Sequence, residues 1–219
     1  MQKRTISRLL AVVVVMATAG SLSGVAVADP AVNQESPVIW HAQQAALGKS
    51  GPVSGAIASL TRSENGIAYQ LNTNSLDPGG AFTLWLVVVN NPSACAVTPC
   101  SAGDILLNPD TRGQVRFAAG HLAGGSGIGT LAGHVNVGEL SGWVPDRALE
   151  DPYTAEIHLV VNSHGPAIPE MMPGMIQTYR GGCSDASPFP PVFPASALAD
   201  GEVGPNICRL FQAAIFLAP

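Results

Sequence analysis

Between Phe82 and Val89 the chain reads Phe-Thr-Leu-Trp-Leu-Val-Val-Val, apolar at odd and even positions alike apart from Thr83. Successive side chains of a strand point to opposite faces, so such a strand needs apolar cover on both sides. A single sheet with a wet back cannot house it. Leu76-Asp77-Pro78-Gly79-Gly80 turns the chain into this run and Asn90-Asn91-Pro92 ends it, both built from residues that favour turns.

The flanking sequence predicts strands that pair with it. Val53 to Thr61 and Gly66 to Thr73 alternate around Ser63-Glu64-Asn65-Gly66, and Asn-Gly is the strongest short hairpin signal. Gln114 to Leu122, the turn Gly124-Gly125-Ser126-Gly127 and Ile128 to Val137 read as a second hairpin. Tyr153 to Asn162 sets Ile157, Leu159 and Val161 on one face and Glu156, His158, Val160 and Asn162 on the other, which reads as a polar, solvent-facing surface. Cys208 to Phe216 supplies a last strand, and only Pro173 to Tyr179, closed by Gly181-Gly182, reads as helical. With 24 Gly, 18 Pro and only 11% charged residues, the composition suits many short strands and tight turns, and 47% apolar content opposes disorder. The expectation is an all-β antiparallel sandwich of seven or eight strands, or a closed barrel, with one short helix, forming a single domain over residues 51–219. Residues 29–50 leave open an N-terminal arm, a short helix or a first strand around Val38 to His41.

The amino terminus fixes the expected compartment. Lys3, Arg4 and Arg8 precede an apolar stretch from Leu9 to Ala19, and Ala26-Val27-Ala28 carries small residues at signal-peptidase spacing. Residues 1–28 therefore read as a signal peptide cleaved after Ala28, delivering a secreted, periplasmic or cell-envelope protein. No later run approaches the ~20 apolar residues of a membrane span. A net charge of −5, more negative once the three basic residues of the signal are removed, opposes nucleic acid and anionic membrane surfaces as partners.

Export also favours disulfides for the four cysteines, Cys95, Cys100, Cys183 and Cys208. Of three pairings the local one, Cys95 to Cys100 and Cys183 to Cys208, is preferred. On the chain-entropy model the short loop contributes roughly 2 kcal/mol and the long one roughly 3.5 kcal/mol. A four-thiolate zinc site needs close cysteine pairs on both sides, which the second pair does not offer.

Candidate chemistry centres on histidine. His121, His134, His158 and His164 all fall in or beside predicted strands. His121 and His134 share a face if the second hairpin turns through two residues. His158 and His164 share strand parity but lie about 20 Å apart on a straight strand, so they meet only if the chain bends near Gly165-Pro166. Met171, Met172 and Met175 follow closely, and thioether with imidazole suits copper. The reading without a cofactor makes these histidines structural and the methionines packing residues. The rival is a copper or zinc site, even an oxidoreductase, built on the four histidines with Glu156, Asn162, Met171 or Met175 as a further ligand or a support. Glu156 and His158, two apart on one face, also form a candidate acid/base pair, with Asn162 orienting a neighbouring ring. Trp40, Trp85 and Trp143 are candidate stacking platforms for a glycan, Trp143 being the ring expected to be exposed and Trp85 the one expected in the core.

Other motifs fail on their residues. Gly48-Lys49-Ser50 lacks the glycine a phosphate loop needs at position 43, which is Gln43. Gly127-Ile128-Gly129-Thr130-Leu131-Ala132 matches the loose dinucleotide pattern but leads into a strand. Ser126 has Ile128 where a nucleophile elbow needs glycine.

Ser54-Gly55 opening a strand, Tyr69-Gln70-Leu71-Asn72-Thr73 and Leu76-Asp77-Pro78-Gly79 are similar to the opening of CHRD-type (chordin-like) domains. The resemblance implies a secreted immunoglobulin-like β-sandwich, laid out like copper/zinc superoxide dismutase. His164-Gly165-Pro166-Ala167 resembles a family segment but lies downstream of its usual place, where this chain has Asn90-Asn91-Pro92. The paired His-x-His ligands of the dismutases are missing, so dismutase activity is not implied. Thr83-Leu84-Trp85 through Asn91-Pro92, Ala119-Gly120-His121 and Glu156-Ile157-His158 through His164-Gly165-Pro166 resemble a group of uncharacterised exported bacterial proteins. The functional expectation is a non-catalytic binding or envelope-associated module for an extracellular protein, glycan or small ligand, with copper or zinc binding as the alternative.

Overall fold

The computed structural model describes residues 30–139 and 142–219; the expected signal peptide and its cleavage site lie outside them. The described residues build an eight-stranded antiparallel sheet from β1 (Val32–Trp40), β2 (Pro52–Ser63), β3 (Gly66–Thr73), β4 (Gly80–Val89), β5 (Gly113–Leu122), β6 (Gly129–Asn136), β7 (Glu156–Pro166) and β8 (Arg209–Phe216). Their order across the sheet is β5-β4-β7-β8-β1-β2-β3-β6. The sheet curls until β5 and β6, its two ends, lie against each other, giving a nearly closed barrel. Residues Cys95–Cys100 and Cys183–Cys208 form the two disulfides, in the local pairing.

The two-sided strand lies where its composition demands. Flanked by β5 and β7, β4 is buried throughout. Phe82, Leu84, Leu86 and Val88 point into the barrel and pack with Leu60, Leu71, Leu131, Leu159 and Phe211. Trp85, Val87 and Val89 point outward into a second core with Cys100, Ile105 and Tyr179. Irregular segments around residues 95–107, 143–149 and 172–208 therefore cover the outside of β5, β4, β7 and β8. The outer faces of β1, β2, β3 and β6 remain open, with Ser59, Gln70 and Thr130 exposed.

The first hairpin closes between Ser63 and Gly66, as its turn residues predict. Gly66 has φ 154°, and a Cβ there would meet the Val135 carbonyl oxygen of β6 at 2.1 Å, so the close passage of β6 requires glycine. The second hairpin does not form. Leu122 and Gly129 are joined by a glycine-rich link, yet β5 pairs with β4 and β6 pairs with β3. The apolar edge of β4 captures β5, and β6 is left to pair at the far end of the sheet.

Other departures are local. Val32–Trp40 is a strand between β2 and β8, and a 3-10 helix, Ala42–Leu47, follows it. The predicted helix over Pro173 to Tyr179 is a single turn, α2 (Met172–Met175), and further short helices occur at α1 (Ala102–Leu107) and α3 (Ala195–Leu198). α1 opens on a capping box in which Ser101 and Asp104 bond reciprocally. β7 begins at Glu156 and continues past Asn162 to Pro166.

One end of the barrel is closed by a charge. Arg62, fully buried, donates from Nε to Gln34 Oε1 at 2.7 Å, from Nη1 to the carbonyls of Pro152 and Ala155, and from Nη2 to the Leu217 carbonyl at 3.1 Å. One guanidinium thus ties β2 to the approach to β7 and to the chain beyond β8. Truncation strands three carbonyls, each costing about 1–3 kcal/mol when left unpaired in the interior. Arg62→Met is expected to lower the free energy of urea unfolding by about 3 kcal/mol or more; a loss below about 1 kcal/mol would show that the hub contributes little.

Candidate functional site

Strand register sets out a floor on the outside of the barrel. Val87, His158 and Ile215 align in one row across β4, β7 and β8, and Trp85, Val160 and Ala213 align in the next. These side chains line a cavity of about 360 Å³. Pro99, Cys100 and Ile105 of the first disulfide loop and α1 roof one part, and Tyr179, Pro190 and Phe193 roof another. Trp143 completes the wall, packed at 5.0 Å from each of Trp85, Tyr179 and Phe193. It is half-buried in this cluster, so the expectation of an exposed Trp143 platform is corrected. Trp85 is core, as expected, and Trp40 packs edge-on against Phe211 with Lys49 over its ring.

The roof changes the meaning of the polar face of β7. Glu156, His158, Asn162 and His164 are all buried on that face, so it does not meet solvent as its alternation suggests. Glu156 Oε1 accepts from His158 Nε2 at 2.6 Å and from the Cys100 amide at 2.8 Å. Burial pushes the Glu156 carboxyl up, but these hydrogen bonds and the imidazole outweigh it and hold the group below the usual carboxylate range. The His158 ring bonds through Nε2 alone, and its Nδ1 has no hydrogen-bond partner among the described residues. His41 lines the same cavity, its Nδ1 accepting from the Gln43 amide and its basicity lowered by burial. Burial raises the Tyr179 hydroxyl well above the ordinary phenol range, so it stays neutral.

A second network holds the roof. His164, with no exposed surface, donates from Nδ1 to the Gly181 carbonyl at 2.8 Å. Its Nε2 accepts from the Thr83 hydroxyl at 2.8 Å, and Thr83 in turn accepts the Trp85 indole N–H at 2.9 Å. Asn162 belongs here and not to the Glu156–His158 pair, since its amide reaches the Tyr179 carbonyl and His164. Every nitrogen of the neutral imidazole is satisfied. Desolvation lowers its pKa to about 4, partly offset by the bond to Gly181.

The imidazoles weighed for copper or zinc are dispersed. His121 pairs with Phe82 and faces inward beside Gly129 of β6, whereas His158 and His164 face outward. His134 is exposed on β6. Among the described residues only His164, Cys183 and Cys208 bring ligand atoms of three His, Cys, Asp or Glu side chains within 4.8 Å of one another, and those sulfurs are joined as a disulfide. Thiolate is the metal-binding form, so this cluster does not fit an ion. Met175 is buried, its sulfur accepting from the Ile168 amide at 3.4 Å, and Met171, four residues earlier, is half-buried. The spacing of Glu156 and His158 was legible in the sequence. His41 and the aromatic roof were not, because they come from segments without periodicity.

The satisfied, neutral His164 has a consequence for acid stability. Its folded pKa lies below the unfolded value of 6.5, so the unfolded chain binds more protons as pH falls, and stability declines between pH 6.5 and about 4. At 1.36 kcal/mol per unit, the loss amounts to about 3 kcal/mol over that window. Unfolding free energy measured from pH 7 to pH 4 should show this decline, and His164→Gln should flatten it; an equally steep decline in the variant would assign the effect elsewhere.

No family model, curated protein or solved structure matches this chain.

Proposed function

We propose that the protein is an exported binding module that works without catalysis, and that the roofed cavity holds a small apolar ligand. The observation that carries this reading is a partly open cavity of about 360 Å³ lined by Trp85, Trp143, Tyr179 and Phe193, with no Lys, Arg, Asp or Glu side chain among its described lining residues. Ligand sites are typically concave, mostly apolar and roughly 300–1,000 Å³ in volume. A cavity of about 150 Å³ lined by aliphatic and aromatic side chains already holds benzene, so this one suits a ring bearing a short chain or a second ring.

Export is supported by the charged and apolar pattern of residues 1–28 and by two disulfides, which fit an extracellular protein. Among the described residues no helix is long and apolar enough to cross a membrane. The resemblance to CHRD-type domains and to exported bacterial proteins bears on the fold, an exported β-sandwich, and not on a reaction. The cavity offers no serine, threonine or thiol nucleophile among its described lining residues.

Trp85 and Trp143 give the cavity an intrinsic fluorescence probe. Titration with alkylbenzenes should quench or shift tryptophan emission saturably. Val160→Phe, which extends the floor into the cavity, should abolish that response while leaving the melting temperature unchanged or higher. Absence of a saturable response in the unaltered protein would overturn the reading.

A further inference from the structure

Resting on that reading, we infer that the cavity selects neutral apolar molecules bearing a hydroxyl group, and that His158 Nδ1 accepts the hydroxyl hydrogen. The direction of the bond follows from what lies behind the ring. A carboxylate only accepts, so at 2.6 Å from Glu156 Oε1 the His158 Nε2 must carry a hydrogen. When the ring carries a single hydrogen, that hydrogen sits on Nε2 against the carboxylate and Nδ1 is a lone-pair acceptor; a ring with hydrogens on both nitrogens would make Nδ1 a donor, which is the outcome the ¹⁵N measurement below separates. The same oxygen accepts from the Cys100 amide at 2.8 Å, which fixes the carboxylate and through it the plane of the ring. His158 lines the cavity, and its Nδ1 is unpartnered among the described residues.

The other imidazole presents the opposite polarity. His41 Nδ1 accepts from the Gln43 amide at 3.2 Å, so its Nε2 is the donor. His41 follows Trp40, which pairs with Gln212, whereas His158 pairs with Ile215. The acceptor and the donor are therefore separated along β8 by about 10 Å or more. The rings of Trp85 and Tyr179 and the side chain of Val160 lie among the lining residues they share.

Ligand classes separate on this arrangement. A hydrocarbon would desolvate Nδ1 without replacing its bond, and an unmatched buried polar atom costs about 1–3 kcal/mol. A carboxylate would oppose the Nδ1 lone pair in a cavity with no lining Lys or Arg. An ammonium would lose its hydration, while the nearest carboxylate is already engaged by His158 and Cys100. A phenol or alcohol donates to Nδ1 and keeps its carbon body on the aromatic walls. Sites built to bond a hydroxyl reject the analogue lacking it.

Calorimetry with propylbenzene, 4-propylphenol, 4-propylbenzoate and 4-propylbenzylamine tests the assignment on the unaltered protein. The phenol is expected to bind about tenfold or more tighter than the hydrocarbon, and the benzoate and the amine more weakly than the phenol. His158→Phe should bring phenol and hydrocarbon to near parity while retaining hydrocarbon binding. Independently of any variant, ¹⁵N shifts of His158 should report the Nε2–H form, with Nδ1 perturbed by 4-propylphenol and not by propylbenzene. Equal affinities, a preference for the benzoate or the amine, or an Nδ1–H ring would overturn the inference while leaving the cavity reading intact. Binding by no member of the panel would overturn both.

Discussion

Burying β4 on both faces is the constraint from which the remaining architecture follows. Its inner side chains are satisfied by curling the sheet into a barrel, which is a cooperative solution because every other strand contributes to the same interior. The outward-facing Trp85, Val87 and Val89 have no second sheet to meet, so the cover comes from segments with little regular structure. Such cover is entropically costly to order. Both disulfides lie in it, and side-chain bonds complete the attachment: Asn206 reaches the His164 and Pro166 carbonyls, and Gln114 holds the Trp143 segment through the Val144 and Arg147 carbonyls. The cavity lies between the outer face of β4, β7 and β8 and an aromatic roof.

Periodicity and turn chemistry were sufficient wherever structure is decided locally. The two-sided β4, the β2–β3 hairpin at Asn65-Gly66, the alternating inner residues of β7 and the last strand could all be read from the residues, as could the local disulfides. The failures share a cause. Gly124-Gly125-Ser126-Gly127 turns the chain, but a turn does not determine whether its flanking strands pair, and the capture of β5 by β4 decided that. The polar face of β7 reads as solvent-facing because its cover, Tyr179 and Phe193 among it, arrives from distant segments whose aromatic residues follow no period. α1 did carry a signal, the Ser101-x-x-Asp104 capping box, which six helical residues were too few to reinforce.

The histidines illustrate how burial sorts residues that look alike in sequence. His134 is exposed, His121 faces inward beside β6, His164 is a neutral clamp with both nitrogens bonded, and His158 keeps one nitrogen unbonded at a cavity floor. Their roles follow from the face each strand presents and from what covers that face, neither of which is set by spacing along the chain.

The position of Cys100 carries one more consequence. Its sulfur closes a six-residue covalent ring, and its amide grips the carboxylate that steadies His158. Backbone, acid and imidazole form a relay whose first link is covalent and oxidised. A covalent closure in a loop outside the barrel thus bears, through one amide and one carboxylate, on a ring at the cavity floor.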